Sequence, residues 1–360
     1  MIYKSQHLFW SILLSYIIAP YYKFFNFFRK NFNIKSLNIK TVLVTEYHRI
    51  GDLIIIAPIL KSIKMKFPDA KIILICNKSS EQLAKHLKLA DNIFGIDVPW
   101  TNWDYSLFKW IKTRSLARSF RTFDVDIAID FKGDIRNSWF LWHTKPKISF
   151  GYSTTGGKFF FTHPKRMNQN LHQFLRAQEL IREIGCVNFN KSNFLNKYKK
   201  DGSIVLHPGT SDNQRSWLDK YWIELANMLY PKNKISIVKC DQSKILIKKL
   251  KNLDLSVDVF EGDLIELMEW LSLQKCLIAP DSMAGHLASY IGIPTISLFG
   301  SQDPSLVKPY NKLAKVVSPD KSCVHIRKHW RLCSLCMASI SPKKVFKNLV
   351  DHISYIERNL

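Results

Sequence analysis

A chain of 360 residues is too long for one ordinary core and implies two domains of normal size. Its 46% hydrophobic and 23% charged residues exclude a disordered chain, and 53 basic against 29 acidic residues leave a net charge of +24. Such a surface favours an anionic partner, whether nucleic acid, anionic membrane or phosphorylated substrate, and charge alone does not choose among them.

The first 40 residues stand apart. They contain no Asp or Glu, and the first acid is Glu46. The clean apolar run from Leu8 to Tyr22 is interrupted by Pro20, then followed by Lys23, Arg29 and Lys30. A spanning helix needs about 20 apolar residues. Aromatic rings interleaved with cations suit the headgroup region instead, so residues 1–40 are expected to associate with a membrane surface. No small-residue cleavage site follows, so a secretory signal is not expected.

After this segment, short β-rich runs alternate with amphipathic helices. "TVLVTEY" (41–47), "KIILICN" (71–77), "IFGIDV" and "VDIAIDF" read as strands with helices between them. The pattern lapses into a polar, basic connection at 186–203 and then resumes. "SIVLHPG" (203–209), "KISIVKC" (234–240), "KCLIAPD" (275–281) and "PTISLFG" (294–300) are the strands of a second series, closed by a last helix, "KKVFKNLVDHISYIERN". Strands separated by helices imply parallel βαβ units, hence two Rossmann-like α/β domains at 41–190 and 200–340, with a closing helix at 341–360.

Seven cysteines are present. Cys76, Cys186, Cys240 and Cys276 read as reduced, buried thiols, and an odd total suits a reducing compartment. Cys323, Cys333 and Cys336 form C-x9-C-x2-C, one ligand short of a zinc site unless His325 or His329 supplies the fourth. The expectation from spacing is a packed or oxidation-prone cluster and no metal.

In parallel sheets, ligands bind beyond the carboxyl ends of the strands, where helix N-termini face an anion. Three such junctions carry unusual residues. In "HRIGDLI" (48–54), Gly51 permits a tight turn and Asp52 is either a helix cap or a carboxylate ready to accept a proton. In "HPGTSDNQRSW" (207–217), Thr210, Ser211 and Arg215 suit phosphate oxygens, although a Walker lysine is missing. In "APDSMAGHLASYIG", Asp281, Ser282 and His286 suggest a hydrolytic set, but the glycine of a nucleophile elbow is missing. A donor-gripping helix start is the better reading.

In this order, the three junctions resemble glycosyltransferase family 9, the lipopolysaccharide heptosyltransferases. "DFKGDIRNS", "LHQFLRAQELIREIG" and "CSLCMASISPKKV" extend the match over most of residues 41–350. The resemblance implies a GT-B fold, two Rossmann-like domains with parallel sheets facing a central cleft, acceptor in the first and donor in the second. It implies an inverting, metal-independent transfer from a nucleotide-sugar, ADP-heptose, to the lipopolysaccharide inner core. Asp52 then matches the catalytic base, with Gly51 and Arg136 on the acceptor side. Thr210, Ser211 and Arg215 match the donor-diphosphate segment, and Asp281, Ser282, Met283 and His286 match the D-[ST]-G-x-x-H-L motif. Met283 departs from that motif's glycine, and Gln242 is a candidate nucleotide contact in a strand end that lacks the usual glycine-rich turn. No cofactor is implied beyond the donor. The implied partners are that donor, a lipid A-Kdo type acceptor and the cytoplasmic face of the inner membrane, with no nucleic acid. A catalytically weak GT-B scaffold, or a member using another nucleotide-sugar, is the alternative. A basic nucleic-acid binder lacks any matching module.

Overall fold

The computed structural model describes residues 5–28, 32–101, 106–187, 199–253, 255–324 and 332–359. Arg29, Lys30, His325, His329 and much of the 186–203 connection lie outside the described residues. The chain divides into two compact units, Met1–Asn190 and Lys191–Leu360.

In the first unit, helix α1 (Ser5–Phe27) precedes β1 (Thr41–Glu46), α2 (Ile50–Lys66), β2 (Lys71–Asn77), α3 (Glu81–His86) and β3 (Asn92–Ile96). Then come α4 (Leu107–Ser119), β4 (Ile127–Asp130), α5 (Ile135–Thr144), β5 (Ile148–Tyr152), β6 (His163–Lys165) and α6 (Gln173–Arg182). The six strands are all parallel, in the order β3-β2-β1-β4-β5-β6. Every residue of β1 is buried, as expected of an apolar run in a sheet covered on both faces.

The second unit runs through β7 (Ile204–Leu206), α7 (Asp219–Leu229), β8 (Ile235–Val238), α8 (Lys244–Asn252), β9 (Asp258–Phe260) and α9 (Leu264–Leu271). It continues with β10 (Cys276–Pro280), α10 (Met283–Ile291), β11 (Thr295–Leu298), α11 (Pro304–Val307), β12 (Ala314–Val317), α12 (Ser334–Ala338) and α13 (Pro342–Asn359). Its parallel sheet has the order β12-β11-β10-β7-β8-β9. Counted from the first strand of each unit, both sheets have the doubly wound order 3-2-1-4-5-6. Each therefore has a switch point where chain direction across the sheet reverses, between β1 and β4 in the first and between β7 and β10 in the second.

The chain departs from the sequence reading in three places. First, α2 begins at Ile50, so Gly51 lies within its first turn without a positive φ, and the tight-turn role expected of it is not realised. Second, Cys240 is only half-buried, unlike Cys76, Cys186 and Cys276. Third, α1 runs unbroken through Pro20. Residues on both sides of that proline are pinned to the first unit: the Ser15 hydroxyl accepts from the Gly157 amide at 2.8 Å, and the Asn26 amide donates to the Phe159 carbonyl at 2.5 Å. Tyr22 packs between Trp142, Phe159 and Phe160. Tertiary packing of this kind outweighs the proline penalty.

Candidate active site

In the first unit, the loop after β1 and the loop after β4 meet at the switch point. Glu46, the last residue of β1, is fully buried, and its carboxylate accepts from the His48 amide at 3.2 Å. Asp130, the last residue of β4, is equally buried and accepts from the Thr45 hydroxyl, the Asn137 amide and the Gly133 amide. Burial pushes the Asp130 carboxyl up to about 6, with the Glu46 charge adding to the effect against the Gly133 hydrogen bond.

Lys132, two residues past β4, bridges two carboxylates. Its ammonium lies 2.7 Å from Asp52 Oδ1 and 3.3 Å from Glu46 Oε2. Gln173, the first residue of α6, also donates to Asp52 Oδ1, at 2.8 Å. The other oxygen, Oδ2, accepts from the Arg49 amide at 3.1 Å, so Asp52 caps α2 from its third helical position and serves the site as well. Burial alone would raise the Asp52 carboxyl. Lys132 and His48 act against it, joined by the hydrogen bonds from Lys132 and Gln173, and together they hold it well below the usual carboxylate range. Of the three charged side chains, Glu46 has 0%, Lys132 12% and Asp52 23% of its side-chain surface exposed, so Asp52 is the one that keeps a face toward solvent. Arg136 is held differently: its guanidinium forms a two-pronged pair with Asp134, at 2.9 and 2.6 Å.

Lys132 and Gln173 are contacts of Asp52 that reasoning from single junctions misses. Their signal is present in "DFKGDIRNS" and "LHQFLRAQ", since Lys132 stands at the end of the second switch-point strand.

The second unit repeats the arrangement with different chemistry. His207 follows β7, and burial pushes its imidazole down to about 4. Gly209 is required by this packing, because a Cβ there would come within 2.8 Å of the His207 ring. The chain then forms a 3-10 turn, Asn213–Arg215, which directs Arg215 at the loop after β10. Arg215 Nη1 lies 3.1 Å from Asp281 Oδ2 and 3.4 Å from the Asp281 carbonyl. Arg215 Nε, Ser216 Oγ and Ser282 Oγ are buried without a hydrogen-bond partner. Ser282 occupies the N-cap of α10 but makes no side-chain cap bond, and Met283, half-buried, is the first helical residue. His286 lies one turn along, largely buried. The Ser282 hydroxyl makes no hydrogen bond to His286 or Asp281, so the geometry lends no support to the hydrolytic reading of these three residues.

Arg215 and Asp281 line a pocket with Gln214, Gly300, Gln302 and Met337. Gln242 donates to the Thr210 carbonyl at 3.0 Å and so braces the loop that carries Thr210 and the exposed Ser211. The helix start of α10, the Arg215 fork and the orphaned donors make this end of the sheet suited to a phosphorylated ligand.

Next in the chain to Leu332 and Met337, which line the same pocket, Cys333 and Cys336 bring their sulfurs within 4.8 Å of one another and of that of Cys323. Burial, with Cys323 and Cys333 as neighbours, pushes the Cys336 thiol up to about 12.

The model of glycosyltransferase family 9 (heptosyltransferase) matches residues 113–333. Lipopolysaccharide core heptosyltransferase OpsX of Haemophilus influenzae is 27% identical over 123 residues, which span 32% of this chain and 35% of that protein. Lipopolysaccharide heptosyltransferase 1 of Campylobacter coli is 20% identical over 85% of this chain and 97% of that protein. Among solved structures, E. coli heptosyltransferase WaaC with ADP matches with a TM-score of 0.69 at 15% identity, over 87% of this chain and 99% of that one. Two parallel six-stranded sheets of GT-B type, together with a family model that matches more than half of this chain, establish that the chain is a glycosyltransferase and belongs to family 9, the heptosyltransferases.

Proposed function

We propose that the chain transfers a heptose from ADP-heptose to the inner core of lipopolysaccharide, by an inverting, metal-independent displacement. The observation that carries this reading is the Arg215–Asp281 pair with the orphaned Arg215 Nε and Ser282 Oγ at the α10 helix start. These groups would meet the donor diphosphate with hydrogen-bond donors whose desolvation is otherwise uncompensated. The ADP in the WaaC structure favours an adenosine diphosphate donor, and the names of the relatives favour a heptose. Thr210, Ser211, Met283, His286 and Gln242 complete the donor side.

In the step itself, the acceptor hydroxyl oxygen bonds to the anomeric carbon and the bond from that carbon to the diphosphate oxygen breaks. ADP leaves with the electron pair, its charge met by Arg215 and the helix amides, and the acceptor proton passes to Asp52. Gly51 and Arg136 belong to the acceptor side of the proposal. The test is turnover of ADP-heptose on a Kdo-lipid A acceptor. Asp52→Asn should lower kcat by about 10²–10⁴-fold while leaving ADP affinity unchanged. Equal turnover by variant and wild type would remove Asp52 as the base, and failure of the wild type to bind ADP would remove the donor assignment.

We further propose that α1 holds the enzyme on the cytoplasmic surface of the inner membrane, where a lipid-linked anionic acceptor lies. By length and composition, Gln6–Phe27 is able to cross a bilayer. Against crossing, Ser11 and Asn26 both bond to the first unit, a separation of about 22 Å along the helix. A helix tied along that length to the sheet of the first unit lies flat, with Phe9, Trp10, Tyr16, Ile17 and Phe24, and Phe28 just past its end, directed outward. Pro20 agrees with this, since the carbonyl it leaves without an amide partner is better tolerated at an interface than in hydrocarbon.

A further inference from the structure

The cluster of Cys323, Cys333 and Cys336 is not used by the proposed chemistry, yet it is built like a ligand set. Cys333 and Cys336 stand in a C-x-x-C pair at the start of α12, one helical turn apart, and Cys323 arrives from the segment after β12. Cys333 and Cys336 are buried and Cys323 is partly exposed, so the cluster has a closed back and one open side. Among the described residues, this is the one group of three or more His, Cys, Asp or Glu whose ligand atoms converge within 4.8 Å.

The position of α12 gives the convergence a purpose. At five residues, Ser334–Ala338 is far too short to hold itself as a helix. It nevertheless carries Met337, which closes on Gly300 so tightly that a Cβ there would meet Met337 at 2.9 Å, and Met337 and Leu332 both line the pocket with Arg215 and Asp281. The far end of this turn is held by the packing of Met337 and Ile340 in the core of the second unit and by the Trp217 indole, which donates to the Ile340 carbonyl at 2.9 Å, and the cysteine cluster stands at its other end.

We propose that Cys323, Cys333 and Cys336 bind one thiophilic divalent cation of the zinc or ferrous class, as a structural clamp that sets α12 beside the donor pocket. Three thiols release their protons to solvent and bind as thiolates, and the fourth position of a tetrahedral ion stays open to solvent or another donor. The ion does not touch the reacting atoms, so the proposal is compatible with metal-independent transfer. It reverses the expectation from C-x9-C-x2-C spacing alone, in which the cluster was only packed or oxidation-prone.

The experiment is elemental analysis of the full chain purified under reducing conditions, without donor present, so that its outcome is independent of the ADP-heptose reading. The expected result is about one zinc or iron per chain, and the analysis itself distinguishes the two. Replacement by cobalt should give an intense thiolate-to-metal charge-transfer band. Cys333→Ser and Cys336→Ser should each lose the ion and the band, whereas Cys186→Ser, buried outside the cluster, should keep both. If the serine variants do not fold, the wild-type chain is titrated with a thiol-reactive mercurial and a metal-indicator dye, and stoichiometric release is expected. A wild-type chain that carries no ion and takes up no cobalt overturns the proposal, as does a disulfide among these three cysteines in the native protein.

Discussion

The Asp52 carboxylate takes hydrogen bonds from three separate stretches of the first unit, at Arg49, Lys132 and Gln173. So held, it stays ionised and suits a base that receives its proton only as the acceptor oxygen becomes acidic during bond formation. Lys132 is the largest influence lowering its pKa, against the burial that would raise it. Removing that cation in Lys132→Met lets burial prevail, so the acid limb of kcat/KM should move to higher pH. In the wild type the limb belonging to Asp52 lies well below the ordinary value of about 3.9. An unmoved limb would mean that Lys132 does not set the ionisation of the catalytic group. His207 offers a pH reading of stability instead. Its imidazole is neutral in the folded chain down to about 4, whereas the unfolded chain takes the proton near 6.5. Between these values the unfolded state binds more protons, so this contribution to stability is full above about 6.5 and is lost as pH falls toward about 4. Asp130 has the opposite sign: pushed up to about 6, its contribution is present below about 3.9 and is lost as pH rises through about 6. The histidine is therefore isolated as the difference between wild type and His207→Asn in urea unfolding from about pH 7 to about 4.5. Wild type should lose stability faster than the variant as pH falls, and parallel curves would mean that His207 is not held neutral.

Helix α1 is where sequence pattern and packing ask different things of one element. Its inner stripe of Ser11, Ser15, Tyr22 and Asn26 is satisfied by the first unit, while Phe9, Trp10, Phe24 and Phe28 remain 61%, 63%, 61% and 68% exposed. Replacing these four aromatics by Ser should weaken binding to anionic vesicles by at least about tenfold, because each ring that enters the interface contributes of order 1 kcal/mol or more. The residual binding should be the part that fades as salt is raised. Unchanged vesicle binding would refute the outward face as the anchor. The same contrast explains what is legible in the sequence. The inner strands are plain because "TVLVTE" and "CLIAP" carry β-branched and apolar residues at their centres and are buried throughout, as strands covered on both faces are. The edge strands His163–Lys165 and Asp258–Phe260 are three residues long and partly polar, and no periodicity marks them. Asp52, Arg215 and Asp281 are readable because each stands in a motif at a strand-to-helix junction. Lys132 also follows a strand, but its link to Asp52, like that of Gln173, is not readable, because the partners are 80 and 121 residues away and the contact from Lys132 exists only because β4 lies beside β1. Strand order of that kind is a tertiary outcome that alternation in the sequence does not encode. The cysteine spacing likewise leaves the convergence of three sulfurs open.

At the scale of the whole molecule, one topology is used twice with opposite electrostatics. In the first unit the switch-point loops present carboxylates, Glu46, Asp52 and Asp130, with Lys132 between them. In the second they present Arg215, helix-end amides and orphaned hydroxyls beside Asp281, which is paired to Arg215, and Asp212, which caps the Asn213–Arg215 turn. An anion such as a nucleoside diphosphate meets repulsion at the first set and donors at the second. The net charge of +24 attracts anionic ligands to the molecule in general and does not decide between the two sites, so the decision rests on these local groups. Hydrogen exchange with saturating ADP reads the choice directly. Protection should rise in the loops 207–216 and 281–286 and at the start of α10, since binding at 100 times Kd stabilises the ligated state by about 2.7 kcal/mol and local openings there must break ligand contacts. Arg215→Ala should abolish that protection, because it removes the fork and leaves Asp281 as an uncompensated negative charge facing the diphosphate. If ADP instead protected the loops after β1 and β4, around Asp52 and Lys132, donor and acceptor assignments would have to be exchanged between the two sheets.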